Sequence, residues 1–393
     1  MKILFINLSS QIGGAELSLF DFLKKIDKKI FTPIVLCNSE GEFFQQVDNF
    51  KIRKILIKGL NYRAISKKLG NRRIINPLAV FWNTVFFIPF IIKLIQVIKK
   101  EEISLIHTNS RYSHIYGGIA GKLIGVPVVW HIHDIYYQKI GIWIMNKLAL
   151  MLPERIIVNS KTTGTIFTGN PKIRVVYNGV DLDNFKKSNE SKSIFCKKFG
   201  LKRNTKKIAI ISRITEQKGH EYFLKAIPSI IKDFPDTKFL IVGNSLLEEK
   251  DFLEQLKELI KNLDISHKVV FTGFREDVPQ IINFLDIIVH CSTHEESFGR
   301  IIIEAMAATK PVVATNIGAS AEIIEDGVDG LLIPPKDSRA IENAIKELLS
   351  NPQKMKFLGE NGRRKVERCF SSESYYKNII KVYSEIVGDT FNS

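Results

Sequence analysis

One pattern runs through the chain from end to end and limits its fold more than any other. Short apolar runs at 3–8, 33–37, 104–108, 128–132 and 155–160 alternate with stretches in which apolar residues recur at helical spacing. Such runs, apolar on both alternating faces, are what buried parallel strands look like. The pattern restarts at 207–212 and continues at 239–243, 268–271, 286–289 and 312–314. Strand alternating with helix predicts an α/β architecture of doubly wound, Rossmann-like parallel sheets. The restart predicts two domains, 1–180 and 181–374, and the 393 residues are enough for a core in each. The lysine-rich stretch 182–206 reads as a linker or surface loop, and 50–75 as basic and loop-rich. A last amphipathic helix is expected near 375–393.

Chemistry concentrates in HCSTHEESFGRIIIEAMAATKPVVAT, residues 290–314. A buried strand leads into a polar loop, then a helix stopped by Pro311, then another strand. Ser297 is placed to cap the helix, leaving the amides near Phe298 and Gly299 unpaired at the positive end of its dipole, where phosphate binds well. Glu296 stands just before that end and Glu304 two turns inside. Two carboxylates beside an anion site can hold sugar hydroxyls and a ribose, although glutamates at this spacing are also ordinary solvated helix residues.

Other strand ends carry polar residues. Gly13 and Gly14 lie where the first strand turns into a helix, which permits close approach of a ligand; a plain tight turn has the same sequence. The spacing is not that of the dinucleotide fingerprint. His133-Asp134 ends the strand 128–132, where α/β sheets bind ligands. Arg213 and Lys218 follow the strand 207–212 and could clamp a diphosphate. Glu322 opens a helix and reads as its cap. No Asp-x-Asp stands near a strand end to hold magnesium, so no metal and no other cofactor is expected.

The net charge of +16 is one-sided. Residues 1–180 hold 25 Lys/Arg against 10 Asp/Glu, and between Asp48 and Glu101 there are twelve basic residues and no acidic one. Such asymmetry concerns partners, and anionic lipid, a lipid-linked phosphate or nucleic acid would fit it. Residues 77–100 are strongly apolar but interrupted by Asn83, Pro89, Lys93 and Gln96, so they predict a packed or surface-dipping helix and not a span. Lys67, Lys68, Arg72, Arg73 and Trp82 are the candidate membrane or acceptor contacts. The four cysteines form no CxxC pair, and the N-terminus lacks a signal-type apolar core, so a cytoplasmic protein with reduced thiols is expected.

Glu296-Ser-Phe-Gly-x4-Glu304 resembles the E-x7-E motif of the family 4 (group 1) retaining glycosyltransferases. Arg213 with Lys218-Gly219, His133-Asp134 and Asn178-Gly-Val-Asp181 match further motifs of that family. The resemblance implies a GT-B fold, two Rossmann-like domains facing across a cleft, with the last helix crossing back to the first. It implies transfer of a sugar from a UDP- or GDP-sugar to a lipid-linked or saccharide acceptor in cell-surface polysaccharide assembly. By resemblance, catalysis falls to Arg213, Lys218, Glu296 and His133. Donor binding falls to Gly13, Gly14, Asn178, Phe274, Ser297, Phe298, Gly299 and Glu304, and Phe274 lies in the segment that holds the base through backbone groups. Partners would then be the nucleotide-sugar, its acceptor and the anionic inner membrane face, and not nucleic acid. A nucleotide-sugar 2-epimerase and a non-catalytic binding module are the alternatives; the set Arg213, Lys218, Glu296 and Glu304 speaks against both.

Overall fold

The computed structural model describes all residues except 59–65, 70, 71, 76, 187, 188, 203, 246–248 and 389–393; at 66–69, 72–75, 77–86 and 189–193 it describes the backbone alone. The chain divides into two compact units. One comprises Met1–Asn159, Thr163–Val176 and the segment from Tyr376 on; the other comprises Ser160–Thr162 and Tyr177–Tyr375.

The N-terminal unit is built on a parallel sheet of seven strands: β1 (Lys2–Ile6), β2 (Thr32–Cys37), β3 (Arg53–Leu56), β6 (Leu105–Thr108), β7 (Val128–Ile132), β8 (Arg155–Val158) and β9 (Ile173–Val175). Their order is β3-β2-β1-β6-β7-β8-β9. Between β3 and β6, β4 (Ser66–Leu69) and β5 (Arg72–Ile75) pair antiparallel as a separate hairpin. Strands β3 to β5 fall in the stretch expected to be loop; lysine and arginine side chains hid them, because charged residues are depleted in strands but tolerated at edges. Chain order reverses between β1 and β6, which makes that seam the switch point where doubly wound sheets bind ligands. One sheet face is covered by the helices Pro77–Lys100, Arg111–Ile124 and Lys139–Met151, whose Leu94, Tyr116 and Met145 pack with Leu4, Ile106 and Trp130. On the other, Phe5 packs on Phe22, and Phe22 meets Tyr383 of the last helix, Ser372–Val387.

The C-terminal unit has six parallel strands: β10 (Lys206–Ile211), β11 (Thr237–Val242), β12 (Val269–Gly273), β13 (Ile287–His290), β14 (Val312–Thr315) and β15 (Leu331–Ile333). Their order is β12-β11-β10-β13-β14-β15, so the switch point lies between β10 and β13. Part of the expected linker is ordered: Leu182–Phe185 is a 3-10 turn and Asn189–Lys198 a helix. Phe185 and Phe195 explain this, since both are buried in the core with Phe284.

Candidate active site

In the C-terminal unit three strand ends converge on Glu296. The turn after β10 carries Lys218, whose Nζ lies 2.6 Å from Glu296 Oε1. From β13 and its loop come His290, with Nε2 3.2 Å from the same oxygen, and Ser292, whose hydroxyl donates to it. The loop after β14 holds the backbone: Ala319 N donates to Glu296 O at 3.2 Å. Gly318 there has φ +57°, and a Cβ on it would stand 2.8 Å from Glu296 N and O. The three loops are laced together. Thr293 N donates to Gln217 O at 2.8 Å, and Thr315 Oγ1 to Ser292 O at 2.8 Å. Gly219, at φ +72°, passes so near β13's loop that a Cβ would reach 1.9 Å from Cys291 O.

Burial pushes the Glu296 pKa up. His290 and the Lys218 ammonium outweigh that by charge and hydrogen bond and hold the carboxyl well below the usual range. Glu296 is thus an ionised acceptor with a side chain 20% exposed, suited to holding hydroxyl protons and unsuited to giving one away. Arg213, two residues past the end of β10, is exposed and has no side-chain partner among the described residues.

The helix after this loop begins later than expected. It is Arg300–Ala307, capped by Gly299 in the left-handed region at φ +78°, not by Ser297. Only glycine enters that region without strain, so the chain stays in the loop through Ser297 and Phe298 before turning. Phe298 is 2% exposed; its ring lies among Tyr177 and Phe370, so its side chain is core and only its backbone can face a ligand. Glu304 is engaged by Arg300, Nε to Oε1 2.8 Å, and Arg300 Nη1 also donates to Gly179 O at 3.4 Å. Asn178, next to that carbonyl, is buried, with an Oδ1 that meets no protein donor. Phe274 is 68% exposed just past β12, after Gly273 at φ +69°. Glu322 does not cap its own helix. It accepts from Lys161 N at 2.8 Å and Thr162 N at 2.7 Å, the first turn of the short helix Lys161–Gly164.

In the N-terminal unit the loops after β1 and β6 border the switch point. Gly13 precedes the helix Gly14–Lys25 and Gly14 begins it; both are exposed. A Cβ on Gly14 would meet nothing within 4 Å, so the fold itself does not demand glycine there. Gly13 N donates to Glu16 Oε2 at 2.9 Å; burial raises the pKa of that carboxyl against the pull of the amide. His133 is 7% exposed, with Nε2 3.0 Å from Asn109 Oδ1 and no protein partner for Nδ1. Asp134 beside it is exposed, 3.9 Å from Arg111. Behind His133 lies a buried imidazole chain. The His131 and His133 ring centres are 4.0 Å apart, His107 Nε2 is 3.2 Å from His131 Nδ1, and the Tyr383 hydroxyl is 2.7 Å from His107 Nδ1. Burial lowers the pKa of His107 and of His133 to about 3, so both rings are neutral.

Sequence reasoning missed His290 and Ser292, which sit in the same motif but carry no spacing signal, and Asn109. Glu16 was legible from its place three residues after Gly13, where a glutamate reaches back to the N-cap amide; glycine has no side chain to complete a capping box. The side chains of Lys67, Lys68, Arg72, Arg73 and Trp82 lie outside the described residues; their backbones belong to the β4–β5 hairpin and the helix Pro77–Lys100.

Two α/β units, each with polar residues at the switch point of a parallel sheet, define a class of ligand-binding folds. Comparison narrows the class. Residues 12–184 match the profile of glycosyltransferase family 4, and 191–365 that of glycosyl transferases group 1. The UDP-Gal:alpha-D-GlcNAc-diphosphoundecaprenol alpha-1,3-galactosyltransferase of Escherichia coli is 26% identical over 313 residues, 76% of this chain and 79% of that one. The capsular polysaccharide biosynthesis glycosyltransferase CapM of Staphylococcus aureus is 23% identical over 316 residues, 76% and 81% of the two chains. The crystal structure of Anabaena HepE in complex with UDP and glucose superposes with a TM-score of 0.84 at 28% identity, covering 98% of this chain and all of the other. The chain belongs to the family 4 (group 1) glycosyltransferases, has the two Rossmann-like units of the GT-B fold, and is an enzyme that transfers sugar.

Proposed function

We propose that this enzyme moves a sugar from a UDP-sugar to a lipid-linked acceptor, with retention at the anomeric carbon and without a metal, at the inner face of the membrane during surface-polysaccharide assembly. The cluster around Glu296 carries the reading. An ionised carboxylate fixed by Lys218, His290 and Ser292 is an acceptor for sugar hydroxyls. Arg213, two residues past β10, has no side-chain partner among the described residues to release before meeting a diphosphate. As the C1–O bond to the departing phosphate breaks, charge gathers on the phosphate, and Arg213, Lys218 and the amides near Gly299 offset it. Glu296 is tied into an ion pair with Lys218 and does not serve as a nucleophile. The acceptor oxygen then bonds to C1 on the face the phosphate leaves, and its proton passes to a phosphate oxygen. Asn178 Oδ1 and Gly14 offer a buried acceptor and an open backbone approach, consistent with donor contacts. UDP as the nucleotide is supported by the HepE complex, and a lipid diphosphate acceptor by the name of the E. coli relative.

A thermal-shift panel of UDP-, GDP- and ADP-sugars, followed by transfer assays on a polyprenyl-diphosphate sugar, tests this. UDP-sugars should stabilise the protein most. Glu296→Gln should lower kcat by about 10²-fold or more, the scale of a lost electrostatic contact to the reacting group. Turnover that disappears on chelation and returns only with magnesium or manganese would overturn the metal-free step. Inverted product would overturn the same-face attack.

A further inference from the structure

The helix Lys139–Met151 connects β7 to β8. Its inner side is apolar, with Met145 and Ala149 buried against the sheet. A surface helix ordinarily turns charged on its other side. Here Ile140, Trp143, Ile144, Leu150 and Met151 are exposed by 74, 63, 43, 55 and 64%. At 3.6 residues per turn these five fall in an arc of about 120°, and the exposed Lys147 lies inside it. A helix apolar on both sides is one that is covered on both sides.

We propose that this outer face seats in the headgroup region of an anionic bilayer. The proposal deepens the peripheral-membrane reading above and rests on it. The charge selects the occupant. Residues 135–153 contain no acidic side chain, only Lys139 and Lys147, and the first 180 residues hold 25 basic against 10 acidic ones. A tryptophan among aliphatic side chains, with lysines whose stems can lie along the apolar surface, suits the boundary between acyl chains and anionic headgroups. The helix has 13 residues, too few to span, so it lies in the surface plane.

The test is co-sedimentation of the full chain with vesicles of phosphatidylglycerol and phosphatidylcholine. Three proteins are compared: the wild type, Ile140→Ser/Trp143→Ser, and Lys67→Ser/Lys68→Ser/Arg72→Ser/Arg73→Ser. The wild type should bind, and the apolar pair should reduce partitioning at least tenfold with an unchanged melting temperature. In a Trp82→Phe background, Trp143 emission should shift to the blue on vesicles and be quenched by brominated lipid, whereas the buried Trp130 stays constant. A wild type that ignores anionic vesicles overturns both this inference and the membrane reading. A wild type that binds while the Ile140/Trp143 variant binds equally overturns the inference alone. So does a dimer that the apolar pair dissociates, by light scattering, with vesicle binding unaltered: the face would then cover a second copy of the chain.

Discussion

Asn109 governs which proton His133 carries. Its Nδ2 donates to Ala15 O at 3.3 Å, so Oδ1 is the atom turned to His133 Nε2. An acceptor there requires a donor, and the proton of the neutral ring therefore sits on Nε2. Nδ1 is left as a buried lone pair that can accept from a ligand hydroxyl and cannot donate to one. Nitrogen-15 spectra of histidine-labelled protein should show His133 as the Nε2–H tautomer, still neutral at pH 6. Asn109→Leu should mix the tautomers and raise KM for the donor several-fold, because the ring would then present a donor part of the time. A wild-type Nδ1–H signal would contradict the assignment. Glu296 makes the complementary point: its partners, and not its own chemistry, keep it charged.

At the scale of elements, two glycines with similar sequence surroundings do different jobs. Gly219 ends the 3-10 turn Glu216–Lys218 in the left-handed region, and its missing Cβ is what lets that turn lie on the loop after β13. Gly219→Ala should cost more than about 2 kcal/mol, the left-handed penalty plus displacement of a backbone carbonyl, and should reduce transfer because Lys218 moves with it. Gly14 starts a helix in open space. Gly14→Ala should leave stability unchanged or raise it by about 0.5–1 kcal/mol, the usual helix preference for alanine, while reducing transfer if a ligand needs that space. Urea unfolding and initial rates on the two variants separate the cases. Equal loss of stability at both sites would refute the distinction.

The whole molecule should weaken in mild acid. His107, His114, His131, His133 and His220 are all held below the ordinary value of 6.5, chiefly by burial, to about 3 for His107 and His133 and about 4 for His220. The folded rings stay neutral where the unfolded chain binds protons. The stability that neutrality provides is complete above pH 6.5 and is lost as pH falls from there toward the folded values. Each such histidine contributes a slope of up to about 1.4 kcal/mol per pH unit in that window. Glu296 adds loss in the same direction at lower pH, because its folded pKa is depressed. Urea unfolding at pH 7.5, 6.0 and 5.0 should show a clear fall; a flat profile would mean that the rings are hydrated or already charged.

Strand positions were readable because a parallel strand buried on both faces must be continuously apolar, and 3–8 or 207–212 can hardly be anything else. The E-x7-E region and the Arg213/Lys218 pair were visible because local sequence builds them: strand end, loop and helix start lie within a few residues. Strands with charged side chains, such as β3 and the β4–β5 hairpin, were hidden, since their pairing and not their composition makes them strands. The start of the helix at Arg300 was also misplaced, because a left-handed glycine competed with a good capping serine and the loop packing chose the glycine. That Lys218 shares a site with Glu296 followed only from the family resemblance, and that His290, Ser292 and Gly318 join them followed from nothing in the sequence. His290, Ser292, Lys218 and Gly318 come from three strand ends that are neighbours only because the sheet order brings β10, β13 and β14 side by side. The chain's own pattern determined that there would be two parallel sheets and which loops would carry polar groups. Only the tertiary structure decided which groups meet, since their distances depend on strand order and on close backbone approaches that local periodicity does not encode.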